Sequence, residues 1–366
     1  MIMHKDIAYM EMAYGLAERA KGWASPNPYV GAVLVRKDII VGYGYHEKPG
    51  KPHAEIIALQ RAGQKSRNST AYITLEPCIH WGRTPPCIDS ILQAGLKRVV
   101  VSSLDPNPLV NKKGVRIMQG EGLDVSVGLL GGRNKRLNES YFKYIREKIP
   151  FVTVKAAASL DGKIATKSGS SQWISSPPVR EYTQLLRGEH DAIMVGINTV
   201  LKDDPLLTVR HRNWRDKRLV RVILDSKLRF PLQSRMLDTL SKGDICIFTS
   251  QHSSTNKVEA LRQKGASVIP LSGRSSSLKL EDILLWLGGK EISSVLVEGG
   301  SLLVTSILEK KLADKILVAL SPKLIGGKDA LSLYGGRGVN HVKDAHCMKR
   351  VRSFRIADET IVEGYF

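Results

Sequence analysis

The residues of this chain best suited to chemistry are His53 and Glu55, followed by two cysteines in the pairs Pro77-Cys78 and Pro86-Cys87. One imidazole and two thiolates neutralise a divalent zinc ion and leave its fourth tetrahedral position open for water, which is what a catalytic zinc requires. Glu55 lies two residues beyond the histidine, close enough to reach the water without coordinating the metal. It can carry a proton from that water to a departing amine. A structural zinc would use a fourth protein ligand, and none is spaced for it.

His-x-Glu followed by two Pro-Cys elements is the pattern of zinc-dependent nucleobase deaminases. Those acting on nucleic acid or free cytidine commonly place the cysteines as Cys-x-x-Cys, whereas here eight residues, Ile79 to Pro86, separate them. The insert puts the donors His80, Arg83 and Thr84 on a loop beside the metal, which suits a small polar, phosphorylated substrate.

The elements that must position these groups read as α/β. The chain has 366 residues, enough for two domains. Hydrophobic residues at 42% and charged residues at 25% fit an ordinary globular protein. No apolar run is long enough for a membrane helix, and Asp6, Glu11 and Glu18 in the first amphipathic stretch do not fit a signal peptide. Four cysteines, two of them claimed by zinc, point to the reducing cytoplasm. Cys246 reads as a core residue, and Cys347 carries no signal.

The net charge of +20 raises a nucleic-acid reading. The excess is spread evenly, +9 up to residue 150 and +11 beyond it. A binding arm would concentrate it, and aromatics at 6% supply no stacking surface, so no specific nucleic-acid partner and no membrane partner is expected.

An amphipathic helix from about Asp6 to Lys21 leads to a hairpin of Val30–Val35 and Ile39–Tyr45, then a helix over His53–Ala62. A strand (Ala71–Leu75), the cysteine loop opening into a helix (Pro86–Ala94), a strand (Arg98–Ser103), a helix (Val115–Glu121) and a strand (Asp124–Gly128) follow. This puts His53 at one helix N-terminus and the cysteines near another, where the positive dipole end favours thiolates. A helical stretch ends near Lys148, and Pro150 marks a boundary between domains 1–149 and 150–366. The second part alternates strands (Phe151–Ala156, Ala192–Val195, Val220–Asp225, Asp244–Thr249, Val295–Glu298, Ile316–Leu320) with helices and closes on a hairpin, Met348 to Phe366. The pattern is α/β with a mixed sheet. The Ser272–Ser277 stretch reads as a loop.

Glu298-Gly299-Gly300-Ser301, between a strand and a helix, has the form in which backbone N–H groups hold a phosphate. Alone it is weak evidence, since a Gly-Gly strand-to-helix turn is more often turn chemistry, and without the Gly-x-Gly-x-x-Gly of a Rossmann unit a dinucleotide domain of that kind is disfavoured. Further ordered segments carry a resemblance. Before residue 150 they are Pro26-Asn27-Pro28-Tyr29-Val30-Gly31, Gly44-Tyr45-His46, His53-Ala54-Glu55, Thr74-Leu75-Glu76-Pro77-Cys78, Gly82-Arg83-Thr84-Pro85-Pro86-Cys87 and Asp105-Pro106-Asn107-Pro108. Beyond it they are Ser159-Leu160-Asp161-Gly162-Lys163, Gln172-Trp173-Ile174-Ser175, Asp203-Asp204-Pro205, Val297-Glu298-Gly299-Gly300 and Pro322-Lys323-Leu324-Ile325-Gly326-Gly327. Through these the chain resembles, end to end, the bifunctional deaminase/reductase family of riboflavin biosynthesis.

The resemblance implies a cytidine-deaminase-like N-terminal α/β/α domain and a dihydrofolate-reductase-like C-terminal α/β domain. The first would hydrolyse the 2-amino group of 2,5-diamino-6-(5-phosphoribosylamino)pyrimidin-4(3H)-one with zinc. The second would reduce the ribosyl group with NADPH to give 5-amino-6-(5-phosphoribitylamino)uracil. Carried over by position, Asn27, His46 and Arg83 would line the deaminase pocket. Lys155, Ser171, Arg187, Leu207, Arg210 and Glu298 would face the reductase substrate, with Lys155 positioning or protonating the opening sugar. Ala157, Trp173, Thr199, Asp203, Ser226 and the run Gly300, Ser301, Leu302, Leu303, Val304, Thr305 and Ser306 would face the nucleotide. A homo-oligomer, dimer or tetramer, is implied as well. The chain departs from the family pattern at Ile79, where relatives commonly have serine, and at Asn111-Lys112-Lys113-Gly114, which replaces a more glycine-rich turn.

Overall fold

The computed structural model describes residues 2–214, 216–272 and 278–366, which fall into two compact units, Met1–Ile149 and Pro150–Phe366. Of the Ser272–Ser277 stretch, residues 273–277 lie outside the described residues.

The first unit runs α1 (Ile2–Glu18), β1 (Gly31–Arg36), β2 (Ile39–Tyr45), α2 (Ala54–Ala62), β3 (Thr70–Ile73), α3 (Cys87–Gln93), β4 (Arg98–Val101), α4 (Lys113–Gly120), β5 (Asp124–Val127), α5 (Gly131–Leu137) and α6 (Glu139–Glu147). Its sheet has the order β2-β1-β3-β4-β5, antiparallel at the β1/β2 hairpin and at β1/β3, and parallel from β3 to β5. Alternation along the strands sorts the two faces. Val33, Val35, Tyr72 and Val100 pack on Met10, Ala13 and Tyr14 of α1. Ala32, Leu34, Ala71, Ile73, Val99 and Val101 pack on the other face with Ala54 and Ala58 of α2 and Ile88 and Ile91 of α3.

How close α2 lies to the hairpin is set by two glycines of β2. A Cβ on Gly44 would sit 2.5 Å from Ala54 O, and one on Gly42 would strike Ala58 O. Any side chain there would lift the helix, and His53 and Glu55 with it, off the sheet. The helical stretch before Lys148 is two helices, because Asn138 turns away from helical geometry (φ −108) and spends its amide on Tyr29, accepting its N–H at 2.7 Å and donating to its carbonyl at 3.0 Å. That pairing anchors the turn carrying Asn27.

The second unit runs β6 (Phe151–Ser159), β7 (Lys163–Ala165), α7 (Pro177–Glu189), β8 (Ala192–Gly196), α8 (Ile197–Asp203), β9 (Val220–Leu224), β10 (Ile245–Ser250), α9 (Thr255–Gln263), β11 (Ser267–Leu271), α10 (Leu280–Gly289), β12 (Ser294–Val297), α11 (Ser301–Glu309), β13 (Lys315–Ser321), β14 (Leu331–Ser332), β15 (Lys349–Ile356) and β16 (Glu359–Tyr365). Nine strands form one sheet in the order β11-β10-β9-β8-β12-β6-β13-β16-β15, parallel up to β13, with the closing hairpin antiparallel. Helices α10 and α11 cover one face, burying Ile283, Leu287, Val304 and Ile307 against Val154, Met194, Val222 and Val297. Val179 and Leu186 of α7 cover Leu296, Leu317 and Ala319 on the other. Strand β11 escapes a sequence reading because Pro270 interrupts it; it is tolerated because β11 is an edge strand. Cys246, on β10, is buried in the core.

Between α7 and β6 the buried His190 accepts from Thr153 Oγ1 through Nε2 (3.0 Å) and donates from Nδ1 to Leu186 O (2.7 Å). Burial lowers its pKa below the usual 6.5, against a smaller opposing effect of the Leu186 carbonyl. The unfolded chain therefore takes up this proton first as pH falls, so the stability His190 contributes is full above about pH 6.5 and is lost below it. Denaturation midpoints at pH 7.5 and 5.5 check this: the parent should lose more stability on acidification than His190→Gln. Equal losses would remove His190 from the account.

Candidate functional site

In the first unit His53 is the N-cap of α2, Cys87 is the first residue of α3, and Cys78 lies in the loop after β3. Their donor atoms lie within 4.8 Å of one another. His53 Nδ1 is 3.0 Å from Cys87 Sγ and 3.5 Å from Cys78 Sγ, while Nε2 is 3.0 Å from Thr84 Oγ1. Without metal, the hydrogen bond with Cys78 raises the His53 pKa; with zinc bound, Nε2–H would donate to the threonine and leave the Nδ1 lone pair to the metal, the orientation a second-shell partner gives a metal-binding histidine. The Cys87 N–H, in the first turn of α3, donates to Cys78 Sγ at 3.3 Å. The Cys78 thiol is pushed down to about 4, first by its hydrogen bond with Cys87 and also by His53, and Cys87 is pushed up in turn. Tetrahedral zinc with sulfur and nitrogen ligands holds its donors about 3.6 Å apart. The three side chains therefore fit zinc with little movement, and among the described residues no other such group of ligands occurs.

Around this cluster, Asn27 Nδ2 lies 3.0 Å from His46 Nε2, and His46 Nδ1 is 3.2 Å from Pro52 O. Burial holds His46 below its usual pKa, so the neutral ring donates to Pro52 and accepts from Asn27. Its ring meets His53 edge-on at 5.1 Å. Glu55, in the first turn of α2, is 5% exposed, and burial pushes its carboxyl up to about 7. Arg83 is exposed on the loop, one residue before Thr84.

A sequence reading missed Glu76. It is buried, with Oε2 accepting the N–H groups of Asp105 (3.2 Å) and Lys112 (3.0 Å), and Oε1 that of Val115 (3.1 Å). It ties the 105–115 segment beneath Cys78, and Lys112 takes the left-handed backbone (φ 63) that a glycine would adopt more readily. The only signal was an acidic residue inside an otherwise apolar run ending in a ligand cysteine. Asp105 is buried too, accepting from Tyr141 Oη at 3.0 and 3.1 Å, and burial pushes it up to about 6.

In the second unit a cavity of about 800 Å³ opens beside β6 and the C-terminal ends of β8 and β12, the usual ligand crevice of an open α/β sheet. Of the residues singled out from sequence, Lys155, Ala157, Ser171, Trp173, Arg187, Thr199, Asp203, Arg210, Glu298 and Gly300 line it. Arg187 grips Glu298 in a fork, Nε to Oε1 at 2.7 Å and Nη2 to Oε2 at 2.9 Å, and its Nη1 donates to Thr208 O at 3.2 Å. Burial lowers the Lys155 pKa while Glu298 opposes the shift. Glu298 itself, despite burial that acts to raise it, is held below the usual carboxylate range by Arg187 and Lys155.

Other residues of that set lie elsewhere. Leu207, in left-handed backbone (φ 51), is buried in the core with Val209 and Trp214, and the side chains of Leu303 and Val304 belong to the core under α11. Thr305 Oγ1 accepts from the Gly335 N–H at 2.9 Å, and Ser306 Oγ bonds back to Leu302 O at 2.8 Å. Ser301 is buried, Leu302 exposed, and Ser226 follows β9 without reaching the cavity wall. A helix gives a consecutive run of residues opposite faces, so the run 301–306 cannot present all its side chains to one ligand; Gly299 and Gly300 are what that turn brings to the cavity.

Residues 3–103 match the cytidine and deoxycytidylate deaminase zinc-binding region, and residues 150–360 match the RibD C-terminal domain. The chain is 43% identical to the riboflavin biosynthesis protein RibD of Aquifex aeolicus over 362 residues, 99% of both chains. It is 39% identical to RibD of Escherichia coli over 354 residues, 93% of this chain and 94% of that one. Solved structures are similar throughout as well. RibD of Acinetobacter baumannii has a TM-score of 0.88 at 32% identity, covering 100% of this chain and 99% of that one. A diaminohydroxyphosphoribosylaminopyrimidine deaminase/5-amino-6-(5-phosphoribosylamino)uracil reductase of Thermotoga maritima has a TM-score of 0.87 at 35% identity, with the same coverage.

Proposed function

The chain belongs to the RibD family of riboflavin biosynthesis proteins, and from that membership we propose how its residues divide the work. It is a bifunctional deaminase and reductase that uses zinc and NADPH. We assign the deaminase to residues 1–149 and the reductase to residues 150–366. The observation that carries the reading is the convergence of His53 Nδ1, Cys78 and Cys87 beside the buried Glu55 in a chain matched over its full length.

For the deaminase, the substrate is the diaminopyrimidinone with its phosphoribosylamino group. His53, Cys78 and Cys87 would hold the zinc ion, which would supply a water acidic enough to attack at neutral pH. Glu55 takes the proton from that water on a carboxylate oxygen and returns it to the leaving amino group. Its burial, which raises its pKa towards neutrality, suits both directions. The neutral His46 and the Asn27 amide orient the ring, and Arg83 on the exposed loop meets the phosphate.

For the reductase, the second cavity would hold NADPH, which would supply the hydride. Lys155 stands there with a lowered pKa, fit to give a proton to the opening ribose. The Arg187–Glu298 fork fixes the wall beside it, and Arg210 offers charge to the substrate phosphate. Anionic substrates give the positive charge a use without nucleic acid. Among the described residues no helix is long and apolar enough to cross a membrane. We place the enzyme in the cytoplasm, as a homo-oligomer.

Given the diaminopyrimidinone phosphate, the purified protein should release ammonia and then consume NADPH. Failure of either step overturns that half of the reading. Metal content is a separate test. About one zinc per chain is expected, and Cys78→Ser or Cys87→Ser should each remove most of it, because two remaining ligands hold zinc poorly. Parental zinc in both variants, by elemental analysis, would sink the ligand assignment.

A further inference from the structure

Four consecutive residues at the wall of the second cavity, Trp173 to Ser176, have their main chain held by charged side chains. Lys323 Nζ donates to Trp173 O at 2.7 Å and to Ile174 O at 3.0 Å. Arg180 Nη1 donates to Ser175 O at 2.7 Å, and the Ser176 N–H donates to Glu359 Oε1. The Arg180 guanidinium also lies over the Trp173 indole, 4.3 Å from its centre. Trp173, Ile174 and Ser175 all line the cavity, and Trp173 is 62% exposed. This segment precedes α7 and belongs to no strand, so no ladder holds it. Its polar groups depend on partners brought from elsewhere in the chain.

The base of Lys323 is itself fixed. The Leu160 N–H donates to Lys323 O at 2.8 Å. Asp161 accepts the N–H groups of Ile325 (3.0 Å) and Gly326 (2.7 Å), and Ser159 Oγ–H at 2.6 Å. The turn after β6 is thus latched to the loop after β13, and the latch aims a lysine at a segment 150 residues before it. An ammonium has three donors on one point charge, so one side chain can hold two successive carbonyls.

We propose that Lys323 is a positioning residue of the reductase. It sets the Trp173–Ile174 main chain, and so the indole face offered to the nicotinamide nucleotide, without touching the reacting atoms. The proposal rests on the reductase reading above and can fail separately from it.

The test compares the parent with Lys323→Met and Lys323→Arg in full-length protein. NADPH affinity is read from the nucleotide's fluorescence on titration, and NADPH oxidation from steady-state kinetics with the deaminated substrate. Lys323→Met should weaken NADPH binding and raise its KM about tenfold, the effect of losing a charged hydrogen-bond donor. At saturating NADPH, kcat should stay within about twofold, since the interaction does not belong to the transition state alone. Lys323→Arg should recover most of the affinity, and ammonia release should be unchanged in both. Parental affinity in Lys323→Met, or a fall in kcat without a change in KM, overturns the proposal. So does an arginine variant as weak as the methionine one, which also covers a methionine variant that fails to fold. A parent that binds NADPH but does not turn over would overturn the reductase reading while the affinities still decide Lys323. A parent that does not bind NADPH overturns both.

Discussion

Glu55→Gln should stop ammonia release while the protein keeps its zinc. Glu55 is 5% exposed in the first turn of α2, and glutamine fills the same volume there, so the fold and the His53–Cys78–Cys87 cluster should persist. What glutamine lacks is a carboxylate able to take and return a proton, and removal of a positioned acid–base typically costs 10²–10⁴-fold, so a fall on the order of a thousandfold is expected. The same variant should still oxidise NADPH when given the deaminated phosphoribosylaminouracil. Ammonia release, bound zinc and nicotinamide absorbance would be followed on one preparation. Ammonia release near the parental rate would remove Glu55 from its role, whereas loss of zinc along with activity would make it a structural support of the site.

Lys155→Ala should give the opposite pattern. Ammonia should leave the diaminopyrimidinone at the parental rate, and the NADPH oxidation that follows should fall about a hundredfold or more, the usual effect of losing a proton donor at the reacting centre. The variant should fold, because Glu298 keeps its two-bonded partner Arg187 when the lysine is gone. Lys155 sits in β6, where its main chain pairs with Leu317 of β13, so alanine leaves the ladder intact. Reduction at the parental rate would show that another group protonates the sugar. Parental kcat with a raised KM would show that Lys155 only holds the substrate.

The zinc cluster was legible because its residues act through type and local order. His53 precedes Glu55 by two residues, and the helices that carry His53 and Cys87 begin where turn and apolar signals place them. The hairpin of β1 and β2, and most strands of the second sheet, follow from runs of β-branched residues near the lengths observed. Strand β11 was hidden by Pro270, and the break at Asn138 by a helical pattern that continues across it.

The reductase cavity was legible only in part, because distance along a chain does not report which face a side chain takes. Lys155 and Ala157 alternate with Val154 and Ala156 along β6, and Trp173, Arg187 and Glu298 come from three separate segments that only the order β8-β12-β6 sets side by side. The run 301–306 is contiguous in sequence, yet the turn of α11 sends Leu303 and Val304 into the core. Leu207 is drawn inward in the same way, to pack with Val209 and Trp214.

By itself, then, the order of residues determined which chemistry is present: a histidine, a glutamate and two thiols in zinc-deaminase order, and ordered segments that resemble one family end to end. Only the tertiary structure decided the imidazole nitrogen that faces the sulfurs, through the bond from Nε2 to Thr84. It also decided that the Glu76 carboxyl accepts from three backbone N–H groups and that Lys323 reaches the carbonyls of Trp173 and Ile174. The physical reason is the same in each case. A residue's type sets what bonds it can make, but a buried polar group must be satisfied by whatever packing brings within about 3 Å, and those partners come from distant parts of the chain.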